Sequence, residues 1–153
     1  MRVIKLTIEE FKKWKGSIKL LLKEAIIISF PDNKPEDSYY DEKMRELEGY
    51  IAENNAIVFL CINNENVLGM AWCHSIRRFN EKRLHIASIA TMPHCRNMGV
   101  GKMLLKEIET YAVDNLYVGL DLLVTADNIN AVSFYQKNEF QTERLLMKKD
   151  LKK

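Results

Sequence analysis

The sequence predicts a mixed α/β fold that begins antiparallel and ends as strand–helix–strand–helix–strand. Three observations predict it. Two apolar, branched runs, Ala56 to Ile62 and Val67 to Arg77, flank the turn Asn63-Asn64-Glu65-Asn66 and read as a hairpin. Beyond Pro93, apolar runs of strand length alternate with amphipathic stretches of helix length. Finally, 153 residues with 47% hydrophobic and 29% charged side chains suit one globular domain, 1–153, with a sizeable core.

In order, residues 2–6 read as a short strand, followed by helical stretches over 7–14 and 17–29 separated by Gly16. Pro31 and Pro35 bound a loop. Residues 36–53 read as a polar helix whose Met44, Leu47 and Ile51 form one buried stripe. The hairpin spans 56–77, and a further strand over 83–92 stops at Pro93. A helix over 99–116 gathers Val100, Met103, Leu104, Ile108, Tyr111, Ala112 and Leu116 on one face. The near-continuous apolar strand 118–125 predicts burial on both faces. A helix over 128–137 is opened by Asp127 or Asn128 as N-cap, and 140–150 reads as one last strand.

Composition excludes several classes. Lysine and arginine total 23 against 21 acidic residues, a formal net charge of +2, without the basic excess of a nucleic-acid binder. Hydrophobicity is too high and net charge too low for disorder. Cys61, Cys73 and Cys95 are odd in number and far apart, so neither a disulfide framework nor a zinc knuckle is expected. The histidines and carboxylates show no metal-ligand spacing. The most apolar segment, Ile18 to Phe30, is interrupted by Lys19, Lys23 and Glu24 and is too short to span a bilayer. With no signal-like start, a cytoplasmic location and no membrane partner are expected. The sequence favours neither a monomer nor a homodimer.

The most informative segment is Thr91-Met92-Pro93-His94-Cys95-Arg96-Asn97-Met98-Gly99-Val100-Gly101-Lys102, which follows a strand and opens an amphipathic helix. Free N–H groups and the positive dipole end at such a start suit an anion. Gly99 and Gly101 let a phosphate approach the backbone, and Arg96 and Lys102 add charge. It is no nucleoside-triphosphate loop, because Arg96 and Met103 stand where glycine and serine or threonine are needed. A dinucleotide fingerprint fails at Leu104.

Arg96-x-x-Gly99-x-Gly101 resembles the Gln/Arg-x-x-Gly-x-Gly/Ala loop of the GNAT superfamily of acyl-CoA-dependent N-acetyltransferases. Asn128-x-x-Ala131-x-x-x-Tyr135-x-x-x-Glu139-Phe140 resembles a second segment of that family, and Thr91-x-Pro93 fits the approach to the loop. Glu139 replaces the usual glycine, and Thr91 stands where a larger aliphatic residue is common. The resemblance covers nearly the whole chain. It implies a mostly antiparallel sheet with a splayed parallel strand pair, helices on both faces, and acetyl-CoA as cosubstrate. It further implies that the backbone of Arg96, Asn97, Met98, Gly99, Val100, Gly101 and Lys102 cradles the pyrophosphate of coenzyme A. Ile89, Ala90 and Thr91 would run beside the pantetheine arm, Asn128 would bond that arm, and Tyr135 would be the general acid.

Acetylating a lysine-like amine near pH 7 requires removing a proton of pKa about 10.4, which costs about 4–5 kcal/mol without help. In several relatives the base lies six residues before the position of Thr91, which here is His85, sharing strand parity with Ile89 and Thr91. His74 or an ordered water are the alternatives. Cys95, beside Arg96 and just ahead of a helix start, has no readable partner for nucleophilic catalysis, so direct transfer is expected. Within 36–53 seven acidic residues face only Lys43 and Arg45, a net −5 that leaves +7 for the rest of the chain. Such an acidic rim, with Tyr39 and Tyr40, suits a cationic small-molecule or peptide amine. A non-catalytic acyl-CoA-binding regulatory module is the other reading.

Overall fold

A computed structural model describes residues 1–151. Lys152 and Lys153, placed by the sequence in a solvated end, lie outside the described residues. The chain forms two compact units, Met1–Leu123 and Val124–Lys153.

The first unit runs β1 (Arg2–Lys5), α1 (Ile8–Ser29), α2 (Asp37–Ala52), β2 (Ile57–Asn63), β3 (Asn66–Arg78), β4 (Glu81–Thr91), a 3-10 turn (Pro93–Cys95), α3 (Val100–Asp114) and β5 (Gly119–Leu122). The five strands lie in sequence order; the first three pairings are antiparallel and β4–β5 is parallel. The mixed sheet is therefore as predicted. Parallel neighbours need a crossover, and α3 supplies it.

α1 is one helix, not two. Thr7 and Glu10 close a capping box, in which the Thr7 N–H donates to Glu10 Oε2 (2.8 Å) and the Glu10 N–H donates to Thr7 Oγ1 (3.2 Å). Phe11, Ile18 and Leu21, all fully buried, form one stripe across Gly16. A helical glycine costs only about 1 kcal/mol relative to alanine, less than burying either large side chain beside it gains.

Alternation assigns the two sheet faces. Val58, Leu60, Met70 and Ala90 join Phe11, Ile18 and Leu21 of α1 and Met44, Leu47 and Ile51 of α2 in one core. The opposite face packs on α3, where the Phe59 and Tyr111 rings meet edge to face at 5.8 Å. Buried Val100, Leu104, Leu105, Ile108 and Ala112 form the stripe of α3 that covers this face.

The expectation that strand 118–125 is buried on both faces is corrected. β5 keeps only four residues, all half-buried, while Val118 and Leu123 are 65% and 80% exposed. It ends the sheet order and pairs on one side only.

The second unit holds α4 (Ile129–Lys137), opened by Asn128 as N-cap, whose Oδ1 accepts from the Ala131 N–H at 3.2 Å. The expected last strand over 140–150 does not form. Leu145, Leu146 and Met147 are 80%, 90% and 88% exposed. Three consecutive apolar residues cannot share one face of a strand, so the segment offers no apolar side to bury.

Candidate active site

β4 carries an irregularity that reorganises the site. Trp72 and Cys73 of β3 are adjacent, yet they pair with Ser88 and Ile86, so Ala87 is an extra residue in β4. Directly paired residues share a face, which sets Leu84, Ile86, Ile89 and Thr91 on the α3 side. His85 lies on the other face, with Ser88, Ala90, Trp72 and His74. The expected common parity of His85 with Ile89 and Thr91 is thus corrected, because a one-residue bulge inverts the alternation. Ring contacts agree, with Trp72 to His74 at 5.8 Å and His74 to His85 at 5.1 Å between centroids.

The parallel partner of β4 ends early. β5 pairs with Arg83, Leu84, His85 and Ile86 only, so Ala87 to Thr91 continue with no strand of the first unit on that side. The Met92 N–H donates to Leu68 O at 2.8 Å, toward β3. Because antiparallel hydrogen bonding alternates along a strand, Ala90 also faces β3, whereas Ile89 and Thr91 turn their N–H and C=O groups to the open edge. Of the three residues expected beside a pantetheine arm, these two hold the free backbone groups, and Ala90 holds a buried methyl.

The open edge leads through the Pro93–Cys95 turn into the N-terminus of α3. Gly99 is the N-cap at φ +80°, a left-handed conformation that favours glycine, and no side chain caps the helix. The Gly99 carbonyl accepts from the Met103 N–H at 3.0 Å, which leaves Val100, Gly101 and Lys102 as the helix's orphan donors. Arg96, Asn97, Met98 and Lys102 are exposed around them. Arg96 Nη2 donates to Glu24 Oε2 of α1 at 3.1 Å, tying the loop to that helix. Cys95 is only 2% exposed, which removes it as a nucleophile. The close fit of this corner depends on Gly69 in β3, where a Cβ would lie 2.7 Å from Val100 Cγ1 and 2.8 Å from Ala90 O.

No motif marks one further residue that stands beside His85. Asp121 is the register partner of His85 across the parallel pair, and its Oδ1 lies 2.6 Å from His85 Nδ1. Its Oδ2 faces Arg83 Nε at 3.4 Å and Arg78 Nη2 at 3.8 Å. Arg83 Nη2 also donates to Leu120 O at 3.3 Å, and Arg83 Nη1 lies 3.4 Å from Glu81 Oε2. The Asp121 side chain is 14% exposed and that of His85 21%. A lone carboxylate inside an apolar strand was the available signal, since burying one without cause is costly.

The acidic segment has a structural use. Lys19 reaches Asp37 (2.7 Å) and Asp41 (2.6 Å), Lys23 pairs with Asp37, and Lys15 reaches Glu48 (2.7 Å). The Lys19 and Lys23 hydrogen bonds pull the Asp37 carboxyl down to about 2. Three of the seven acids thus pair with lysines of α1 along a solvent-exposed helix seam.

In the second unit Tyr135 is half-buried, with its ring 5.2 Å from Phe134 and 5.5 Å from Phe140. The Phe140 N–H donates to Tyr135 O (3.1 Å) and the Glu139 N–H to Gln136 O (3.1 Å), a Schellman closure of α4. Glu139 sits at φ +67°, which explains why a glycine is usual there. Asn128 spends its Oδ1 on the helix cap, leaving its Nδ2 as the group available to a ligand.

No helix among the described residues is long and apolar enough to cross a membrane. No curated protein matches the sequence. Among solved structures, a mutant of the BH1408 protein from Bacillus halodurans is 14% identical, with 99% of each chain covered and a TM-score of 0.81. An aminoglycoside acetyltransferase from an uncultured soil metagenomic sample, in complex with sisomicin, is 14% identical over 99% of this chain and 96% of that one, at a TM-score of 0.75. A predicted acetyltransferase with acetyl-CoA from Clostridium acetobutylicum is 16% identical over 97% of this chain and 95% of that one, at a TM-score of 0.73. At these identities the likeness is one of fold. The model of the acetyltransferase (GNAT) family matches residues 21–140, most of the chain, and the protein belongs to that family.

Proposed function

We propose that the protein is an N-acetyltransferase that moves the acetyl group of acetyl-CoA directly to a primary amine, with residues 1–153 working as one domain. The observation that carries this is the open edge of β4 at Ile89 and Thr91 running into the uncapped start of α3. An extended arm with amide groups can pair along that edge, and the pyrophosphate can then accept from the amides between Arg96 and Lys102. Exposed Lys102 adds a cation there. Asn128 Nδ2 supplies a further donor to the arm.

The reaction needs three protein contributions. His85 takes the proton of the amine, directly or through one water, and the freed nitrogen attacks the thioester carbonyl carbon. The N–H of Thr91 or Ile89 at the open edge stabilises the oxygen as it becomes negative. The carbon–sulfur bond then breaks, Tyr135 donates its phenolic proton to the departing thiolate, whose basicity is comparable, and the second proton of the cationic nitrogen returns through solvent to the tyrosinate, which leaves a neutral amide.

The aminoglycoside acetyltransferases of the same fold support a small-molecule amine as acceptor. The pairing of α1 lysines with acids of α2 weakens the argument from the acidic rim alone, so the acceptor side rests on the face bearing Trp72, His74 and His85. Three free, buried cysteines support a reducing setting, the cytoplasm.

The test is thiol release from acetyl-CoA across a panel of cationic, neutral and acidic amines, with Tyr135→Phe beside the wild type. Release with a cationic or neutral small amine, and a kcat in Tyr135→Phe lowered about 100-fold with little change in KM for acetyl-CoA, are expected. Tight coenzyme A binding without release for any amine would make the chain a non-catalytic acyl-CoA-binding module. An unchanged kcat in Tyr135→Phe would remove its acid role.

A further inference from the structure

We propose that Asp121 is the positioning residue that fixes the tautomer of His85, and with it the nitrogen that takes the amine proton; this deepens the reading of His85 as base and rests on it. The argument starts from topology. β5 contributes one polar side chain to the sheet, and the parallel register sets it opposite His85. A carboxylate can only accept, so at 2.6 Å the His85 Nδ1 must carry the hydrogen, which leaves the lone pair of the neutral ring on Nε2. An unconstrained histidine populates that form less than its opposite.

The carboxylate is itself held. Arg83 and Arg78 face its second oxygen from β4 and β3, at 3.4 and 3.8 Å. Arg83 is further fixed by Leu120 O and Glu81, and the His74 ring lies against the His85 ring on its other flank. Asp121 thus lies within ion-pair distance of two arginines through one oxygen while the other meets His85. Because Asp121 reaches the reaction only through His85, its loss should act on kcat and not on cosubstrate binding.

The experiment uses the full chain labelled with nitrogen-15 and long-range proton–nitrogen correlation of the imidazoles above the titration of histidine. In the wild type, His85 is expected in the Nδ1–H form. In Asp121→Asn, whose amide can donate to Nδ1, it should shift to the Nε2–H form, with kcat down roughly 10–100-fold and KM for acetyl-CoA changed by less than about twofold. Asp121→Glu, which keeps the acceptor, should restore the Nδ1–H form and part of the rate.

A wild-type His85 in the Nε2–H form overturns the proposal without any variant having to fold. The same tautomer in wild type and Asp121→Asn overturns it too, and would leave Asp121 as a partner of the arginines only. A shifted tautomer with an unchanged kcat overturns its catalytic consequence. Failure of the underlying reading looks different: His85→Ala would then retain the wild-type rate, whatever the tautomer of His85 in the intact protein.

Discussion

Replacing Gly69 with alanine tests how tightly the sheet and the start of α3 are joined. The added Cβ would sit 2.7 Å from Val100 Cγ1, 2.8 Å from Ala90 O and 3.3 Å from Thr91 Cγ2. Real Cβ contacts do not fall below 3.0 Å, so two neighbours must move. Val100 is 1% exposed and branched at Cβ, so it has no free rotamer, and the Ala90 oxygen is backbone inside a strand pairing. Such overpacking costs about 1–3 kcal/mol. The smaller unfolded-state entropy of alanine returns about 0.4–1 kcal/mol, leaving a net loss of about 1–2 kcal/mol. For a chain of this size that lowers Tm by about 2–8 °C. Either adjustment, β4 pushed outward or α3 lifted, displaces amides assigned to acetyl-CoA, so its KM should rise more than kcat falls. Thermal unfolding and steady-state kinetics measure both effects. Val100→Ala relieves only one of the two contacts, so the double variant should recover part of the loss in Gly69→Ala, giving a coupling of about 0.5–2 kcal/mol. A Gly69→Ala protein with wild-type Tm and KM would refute the reasoning.

Glu139→Gly should stabilise the protein, because the left-handed conformation at φ +67° costs a non-glycine residue about 1–2 kcal/mol while the freer unfolded chain returns only about 0.4–1 kcal/mol. A rise in Tm of about 1–4 °C is expected in thermal unfolding, and a fall would show that Glu139 makes contacts worth more than the strain. The α1–α2 seam should respond to acid. The Asp37 carboxyl, held down to about 2 first by Lys19 and then by Lys23, lies below its ordinary 3.8. A depressed carboxyl stabilises the fold above its unfolded value, and that contribution is lost as pH falls from about 4 through about 2. Carbon-13 NMR should find Asp37 titrating near 2 in the wild type and moving toward 3.8 in Lys19→Met; titration near 3.8 in the wild type would discard the ladder.

Much of this molecule was legible because its patterns are local. The hairpin was announced by two branched runs around a polar turn, and the structure gives it as β2 and β3. The N-cap at Asn128 was readable because its chemistry is settled within three residues. Gly16 misled because local helix propensity was weighed without the stripe of Phe11, Ile18 and Leu21 that crosses it. The last strand misled for a related reason: a strand exists only through pairing, and no property of 140–150 alone supplies a partner.

The site was legible on its backbone side and obscure on its side-chain side. A loop motif reports the helix start directly, so Gly99 falls at the N-cap as the spacing required. Counting back from Thr91 reaches His85 but not its face, which the bulge reverses. The signal was present, since the apolar residues of β4 step from Leu84 to Ile86 and then to Ile89, a break of phase at Ala87. Asp121 was harder, because parallel register depends on how α3 returns the chain and cannot be counted along the sequence. The lysines at 15, 19 and 23 match the acids at 37, 41 and 48 only once the two helices are laid side by side.

The bulge at Ala87 separates the proposed base from the proposed cosubstrate edge. The cosubstrate arm is assigned to the edge of β4, where Ile89 and Thr91 expose peptide groups but send their side chains toward α3. His85, proposed as the base, instead stands on the α1–α2 face, with Trp72 and His74. In an unbulged strand, His85 would share the face of Ile89 and Thr91 and point into the core packed by α3, away from any acceptor. One extra residue inverts the alternation between them. In the proposed function the edge binds one substrate while the opposite face, four residues before Ile89, prepares the other. The bulge also leaves His85 in regular pairing with Asp121 on β5, since the parallel register from Arg83 to Ile86 ends just before Ala87. The proposed base thus lies below the bulge and the proposed cosubstrate edge above it, and a change at Ala87 would disturb their relation without touching either group.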